Sequence, residues 1–211
     1  MGANQWVWAT VAAVAGVAVG VGARRLLSRL RRGTVVAPGR LEPVTAMLFA
    51  CSALVVGPEP ALVIAWWVAT LTVVLSAVDL AHHRLPDAIT LPAIPLTLLF
   101  LSVVQFSRPG SGDLVRAAGA GTAVALLFLL VSGGGRWMGL GDVKLSATVG
   151  LILGFHSLSA VVTGIALAFV LGAGAGLVGM VARRLTARSA IPFGPCLLLA
   201  CWIMAVFPAL S

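Results

Sequence analysis

Eight apolar runs, separated by short polar segments, make up most of this chain. Of its 211 residues, 60% are hydrophobic and only 9% are charged, whereas soluble domains carry about 25% charged residues. Apolar runs of this length are typical of membrane-spanning helices. The sequence therefore predicts an all-α polytopic membrane protein, with a single domain over residues 1–211. The predicted spans are residues 5–23, 43–56, 61–80, 88–105, 114–131, 143–155, 158–182 and 192–210.

The basic residues indicate how such a chain is oriented. In the eight-span arrangement, 12 of the 14 lysine and arginine residues fall on one side, and only Arg108 and Arg116 fall on the other. Cytoplasmic loops of membrane proteins are enriched in basic residues, so the first side is predicted to be cytoplasmic and both termini to lie outside. Residues 24–42 are predicted to form a short basic cytoplasmic loop. This topology accounts for the net charge of +8 without nucleic-acid binding, for which there is no basic patch with interleaved aromatic residues.

The three cysteines, Cys51, Cys196 and Cys201, all lie inside apolar runs, and none belongs to a CxxC pair. This pattern favours neither a zinc site nor a disulfide framework. We interpret the cysteines as core residues.

Two aspartates stand at the edges of predicted spans. Asp79 closes the third span and Asp142 opens the sixth. The chain crosses the membrane twice between them, so both acids are predicted at the cytoplasmic face and at similar depth. A carboxylate is costly to desolvate, so an acid beside a span indicates a functional site. Two carboxylates that meet there share a proton, and one can act as general base on a water while the other donates a proton, as in aspartic peptidases.

The segment that leads into Asp142 is rich in glycine. Residues 133–144 read GGGRWMGLGDVK and interrupt the apolar pattern between the fifth and sixth spans. Gly139 and Gly141 lack side chains, so the backbone there can approach a substrate or turn tightly beneath the helix. Alternatively, the segment is a flexible linker and Asp142 only caps the following helix. The possible pairing with Asp79 favours the catalytic interpretation.

Three motifs resemble those of the type IV prepilin peptidases, a family of GxGD-type intramembrane aspartyl proteases. VDLAHHRLPD is similar to a pattern in which an aspartate is followed by a proline and an acid or amide. GLGDVKL is similar to the GxGD motif with its trailing lysine, and IPFGP, residues 191–195, is similar to the third signature. The motifs occur in the family's order, and the resemblance covers the chain from about Val44 onward. The matching positions are Asp79, Pro86, Asp87, Gly139, Gly141, Asp142, Lys144, Pro192, Gly194 and Pro195.

The resemblance implies a membrane aspartyl endopeptidase in which Asp79 and Asp142 are the catalytic pair and no metal or other cofactor is needed. The expected substrates are precursors of type IV pilins or pseudopilins. Their short basic leader would be removed at the cytoplasmic face of the inner membrane, and the lipid bilayer would surround the protein. Longer members carry a cytoplasmic domain with paired CxxC motifs and also N-methylate the new amino terminus. Because a short basic loop takes that place here, the resemblance predicts the peptidase activity but does not extend to the methyltransferase.

Other polar residues admit two interpretations each. Asp87 could hold the loop between the third and fourth spans or bind the positive charge of a leader peptide, but the preceding proline favours a role as N-cap of the fourth span. Lys144 could tune the ionisation of the neighbouring aspartate, but its position favours contact with lipid headgroups. Arg136 is interpreted as a topology charge, and His156 is predicted to lie far from both acids.

Two other functions remain open from the sequence. On a helix that continues from the third span, Asp79, His82 and His83 share one face and could bind a metal together with Asp142, as in a metal-dependent membrane hydrolase. Alternatively, paired acids serve as a proton relay in a small proton-coupled transporter. That function predicts acids near the bilayer midplane and two repeated halves, whereas these acids lie at one edge and no repeat is evident. The sequence does not indicate the oligomeric state.

Overall fold

The fold is given by a computed structural model, which describes residues 3–29, 36–82, 84–133, 139–182 and 192–207. These residues form helices joined by short connections, and no strand occurs among them. The prediction of an all-α protein is therefore confirmed for the described part of the chain. Its helices are α1 (Ala3–Arg29), α2 (Glu42–Val56), α3 (Leu62–His82), α4 (Asp87–Ser107), α5 (Leu114–Ser132), α6 (Leu140–His156), α7 (Leu158–Val181) and α8 (Gly194–Val206).

Five helices, α1, α3, α4, α5 and α7, are long and apolar enough to cross a membrane by length and composition. The apolar helices α2 and α8 are shorter, with 15 and 13 residues, and α6 has 17. Most helix bounds lie within two or three residues of the predicted runs, because polar connections interrupt the apolar pattern where the helices end. Helix α5 illustrates this agreement: Asp113 caps its start, and Gly133, in the left-handed conformation, follows its end.

Helix α1 differs most from its prediction, because it continues to Arg29 and not to Ala23. Leucine and arginine are good helix formers, and Leu27 is fully buried. The Arg24 Nε donates a hydrogen bond to Glu42 Oε1 at 2.9 Å, which ties α1 to the start of α2. The first part of the predicted basic loop is therefore helical, and residues 30–35 lie outside the described residues.

Helices α5 and α6 pack closely through small residues. A Cβ placed on Gly150 would lie 2.8 Å from the Cα of Gly121 and 2.9 Å from the carbonyl oxygen of Ala120. Small residues let helix backbones approach in a membrane, where van der Waals contact stabilises helix pairs. This contact aligns α6 along α5, so that the start of α6 lies beside the end of α5.

Helix α3 is the most enclosed of the five long helices. Helix α8 packs against α3, α6 and α7, and side chains such as Leu75 and Leu197 are fully buried in the core. The last turn of α3 and the first turns of α6 and α8 lie at one end of the bundle. We call this end the acid end, because it carries Asp79 and Asp142.

Arg108 and Arg116, the two basic residues that were predicted to lie outside, both have partners within the protein. Arg108 forms an ion pair with Glu59. Arg116, at the start of α5, donates hydrogen bonds to the carbonyl oxygens of Gly154, Phe155 and His156 at the end of α6. His156 therefore lies at the other end of α6 from Asp142, as predicted. Both exceptions to the charge pattern are therefore bonded to distant parts of the chain.

Candidate active site

Asp79 lies in the last turn of α3 and is only 5% exposed. Its burial follows from the position of α3 in the core, since Leu75 and Val78 in the same two turns are also buried. A carboxylate buried to this extent is rare in a core that is otherwise apolar. Asp79 is therefore a candidate for a functional group, as the sequence indicated.

Asp142 lies in the first turn of α6. The helix begins at Leu140, three residues before the predicted start at Val143, and this places Asp142 inside the helix. Its backbone N–H donates to the carbonyl oxygen of Gly139 at 3.0 Å, and its side chain is partly buried. Asp142 lies close enough to Asp79 for the charge of one carboxylate to act on the other. The structure thus brings together the two acids that the sequence singled out.

Leu85 packs between the start of α6, which carries Asp142, and Gly194 of α8, which lies beside Asp79. A Cβ on Gly141 would lie 2.9 Å from the Cβ of Leu85, and a Cβ on Gly194 would lie 2.9 Å from Asp79 Oδ2 and 3.5 Å from Leu85 Cδ1. Gly141 and Gly194 therefore leave room for Leu85 and for the carboxylate of Asp79. Gly139 is less constrained, because its added Cβ would make only an ordinary contact of 3.7 Å with Asp142 Oδ2.

Leu85 was not recognised from the sequence as part of the site. It is buried, although it belongs to the short connection between α3 and α4. The available signal was an apolar residue inside the polar segment AHHRLPD. Pro86 follows it with extended backbone angles and precedes the first residue of α4, as expected for a residue that cannot continue a helix.

The predicted N-cap role of Asp87 is wrong. Pro86 occupies the N-cap position of α4, and the cap makes no side-chain hydrogen bond. Asp87 is the first residue of the helix, and its Oδ1 accepts a hydrogen bond from Lys144 Nζ at 2.7 Å. The reason is that the helix begins at Asp87, so its side chain belongs to the first turn and is not placed, as an N-cap side chain is, to accept from the N–H groups of that turn. Lys144, for which contact with lipid headgroups remains a prediction, joins the first turns of α4 and α6 through this bond.

The third motif, IPFGP, forms the start of α8. Gly194 and Pro195 are the first two residues of that helix, a position that proline tolerates because its missing N–H has no helical partner there. Phe193 packs against the rings of Phe128 and Phe169 at centroid distances of 6.2 and 5.1 Å. This aromatic cluster holds the start of α8, and with it Gly194, against Asp79. Pro192 precedes the cluster and is partly buried, and residue 191 lies outside the described residues.

The metal alternative involved Asp79, His82, His83 and Asp142. No three metal-binding side chains converge within the described ranges, and His83 lies outside them.

Cys196, interpreted as a core residue, lies within electrostatic range of Asp79, and all three cysteines are free thiols.

Comparison with known proteins identifies relatives of the chain. A model of the type IV leader peptidase family matches residues 62–177. A prepilin leader peptidase/N-methyltransferase of Aeromonas hydrophila is 34% identical over 167 residues, which are 77% of this chain and 56% of that relative. The protein of the same name from Burkholderia pseudomallei (strain K96243) is 31% identical over 162 residues, 74% of this chain and 50% of that relative. The chain thus spans about half the length of these curated relatives. No solved structure matches it significantly.

The matched region contains both acids and the whole of helices α3 to α6. Residues 62–177 are 116 residues, more than half of the 211 in the chain. The resemblance inferred from the three motifs is therefore confirmed, and the chain belongs to the type IV leader peptidase family.

Proposed function

We propose that this protein is a membrane aspartyl endopeptidase that removes the short basic leader from type IV prepilin or pseudopilin precursors. The observation that carries the proposal is that Asp79 and Asp142, from two helices distant in sequence, lie within electrostatic range of each other at one end of the bundle. Family membership supports prepilin leader cleavage, and the paired carboxylates supply the aspartyl mechanism.

The two carboxylates share one proton, because two negative charges in a poorly solvated site repel each other. The ionised carboxylate takes a proton from a water molecule, whose oxygen then attacks the carbonyl carbon of the scissile peptide bond. The protonated carboxyl stabilises the developing oxyanion. The carboxyl group that took up the proton of water gives it to the leaving nitrogen as the carbon–nitrogen bond breaks, and this restores the single shared proton. No covalent intermediate with the enzyme forms.

The substrate's apolar segment approaches from the bilayer. A groove of about 400 Å³ lies between α4 and α5 and is floored by α6. Its α5 wall includes Ala118, Gly121 and Ala125, and its α6 floor begins at Val143, the residue after Asp142. Small wall residues admit a helix at close range. An apolar segment seated in the groove would therefore present the adjoining polar bond to the two acids.

We further propose that all eight helices lie in the inner membrane as one peptidase domain, with both termini outside and the acid end facing the cytoplasm. The charge distribution supports this orientation, since Arg24, Arg25 and Arg29 all lie at the cytoplasmic end of α1. The lipid bilayer then supplies the apolar surroundings for the exposed valines and leucines of α1, α4, α5 and α7.

The peptidase is the activity proposed for this chain. The relatives are named prepilin leader peptidase/N-methyltransferase, and this name describes proteins of which the chain spans about half. The three motifs that carry the candidate site are all peptidase motifs. We assign no methyltransferase role to the residues described here.

To test the proposal, a type IV prepilin precursor is co-expressed with the wild type, with Asp79→Asn or with Asp142→Asn. Electrophoresis of the membranes then shows how much of the precursor has been cleaved. We expect either substitution to abolish cleavage, because each carboxyl is required for proton transfer. A chelator should have no effect on cleavage by isolated membranes. Chelator-sensitive cleavage would support a metal mechanism that involves His82 and His83, and cleavage that survives either substitution would refute the carboxylate pair.

A further inference from the structure

The connection between α3 and α4 and the first residue of α4 touch the first two turns of α6 at two points. Leu85 contacts Gly141, whose added Cβ would lie 2.9 Å from the Leu85 Cβ. Two residues after Leu85, Asp87 bonds Lys144 at 2.7 Å. Gly141 and Lys144 are neighbours on α6, and Asp142 lies between them in sequence. The connection is therefore fastened to α6 on both sides of the candidate catalytic residue.

The same connection is also in contact with the surroundings of Asp79. Leu85 and the carboxylate of Asp79 both lie against Gly194, at 3.5 and 2.9 Å from the position of an added Cβ. Leu85 therefore bridges the α8 residue beside Asp79 and the α6 residue beside Asp142. The connection thus contacts residues beside both carboxylates.

The ion pair itself should contribute little to the stability of the fold. The side chains of Lys144 and Asp87 are 34% and 60% exposed, and exposed ion pairs are typically worth only about 0–1 kcal/mol. Lys144 is also two residues from Asp142 on the helix, and residues at this spacing do not face each other. A role for the pair must therefore be sought in the position of α4 relative to α6.

We infer that Asp87 and Lys144 are positioning residues, which hold the connection between α3 and α4 on α6 so that Asp79 and Asp142 meet at the separation needed for proton transfer. This inference rests on the proposed peptidase function. It explains why an ion pair joins these two helix starts, next to the candidate site. A displacement of about 1 Å in a catalytic group can cost on the order of 100-fold in rate, so a pair of low stability value can still matter for catalysis.

The inference predicts a specific kinetic pattern. In Asp87→Asn and in Lys144→Gln, kcat for cleavage of a prepilin precursor should fall about 10- to 100-fold, with KM nearly unchanged. The double variant should lose no more than either single variant, because both changes break one contact. The charge-swapped enzyme, Asp87→Lys with Lys144→Asp, should regain most of the lost kcat.

Arg24 provides a matched control. It forms a second interhelical ion pair of similar length, 2.9 Å with Glu42, between helices that carry neither acid. Arg24→Gln should leave kcat within about twofold of the wild type, since its loss does not move the acids. Thermal unfolding of each purified variant in detergent separates lost activity from lost fold. Asp87→Glu and Lys144→Arg, which keep the charges and change only the reach, should unfold like the wild type and still show a reduced kcat.

The outcomes separate this inference from the proposed function. If Asp79→Asn abolishes cleavage but Asp87→Asn and Lys144→Gln keep the wild-type kcat, the positioning role is refuted and the peptidase stands. If each loss of kcat parallels a loss of thermal stability, or if the swapped enzyme stays inactive while folded, the positioning role is also refuted. If Asp79→Asn still cleaves, the proposed function itself fails.

Discussion

The guanidinium of Arg116, in the first turn of α5, lies 2.7 Å from the carbonyl oxygen of Gly154, near the end of α6. It also donates to the carbonyl oxygens of Phe155 and His156 at 2.8 Å. The last carbonyl groups of a helix have no partner within the helix, and a cation at this end interacts favourably with the helix dipole. Arg116 therefore completes the end of α6 that is opposite the candidate site.

Replacement of Arg116 by glutamine should lower the free energy of unfolding by about 2–4 kcal/mol, because hydrogen bonds from a charged donor are lost and the carbonyl oxygens of Gly154 and His156 lose this partner. Arg108→Gln is the matched control, since its ion pair with Glu59 is exposed and is expected to contribute at most about 1 kcal/mol. Denaturation of both variants in detergent measures the difference. If the two variants had the same free energy of unfolding, the bonds of Arg116 would not stabilise α6.

Gly194→Ala should reduce peptidase activity at least about tenfold. The added methyl group would lie 2.9 Å from Asp79 Oδ2, so the carboxylate must move from its present position. Gly174→Ala, on α7, is the control, because an added Cβ there meets nothing within 4 Å. Cleavage of a prepilin precursor by the two variants is the measurement. Full activity of Gly194→Ala would mean that the position of Asp79 is not critical.

Ala125→Trp should raise the KM for a precursor with an apolar segment, because the indole would fill the groove between α4 and α5. Ala123→Trp, on an exposed face of the same helix outside the groove, should leave KM unchanged. A short peptide that contains the cleavage site but lacks the apolar segment should be cleaved equally by both variants. An equal KM for the full precursor would exclude the groove as its binding site.

The cap of α5 should give stability a dependence on acid pH. The pKa of Asp113 lies below its usual value of 3.8, because its carboxylate accepts hydrogen bonds from the backbone N–H groups of Arg116 and Val115. A lowered pKa in the folded state means that the stabilisation is present above the unfolded pKa and is lost as the pH falls through the folded pKa. The stability difference between wild type and Asp113→Ala should therefore be full at pH 6 and shrink below about pH 3.8. Denaturation curves at several pH values test this, and a difference that does not change with pH would contradict it.

The sequence alone determined the helical class and most helix bounds, because apolar runs and polar breaks are local properties of the chain. Helix α5 could be predicted almost to the residue from its apolar run, which is bounded by Asp113 and Gly133. The continuation of α1 through Arg29 could not be predicted from hydropathy, because arginines with good helix propensity interrupt the apolar pattern without ending the helix.

The candidate acids were also identified from the sequence, because carboxylates beside apolar runs are conspicuous and two crossings return the chain to the same face. The partner of Asp87 was not. Its neighbour Pro86 suggests a helix cap, but its partner, Lys144, lies 57 residues away in the chain. Only the packing of α4 on α6 brings this ammonium to the carboxylate.

Tertiary structure alone also decided the position of Leu85 between Gly141 and Gly194, and of Arg116 at the end of α6. Each contact joins segments that are distant in sequence, and none follows a local periodicity. The physical reason is that burial and backbone bonding in a helix depend on neighbouring residues. The fit of a side chain against a glycine or a carbonyl of another helix depends on how the whole bundle packs.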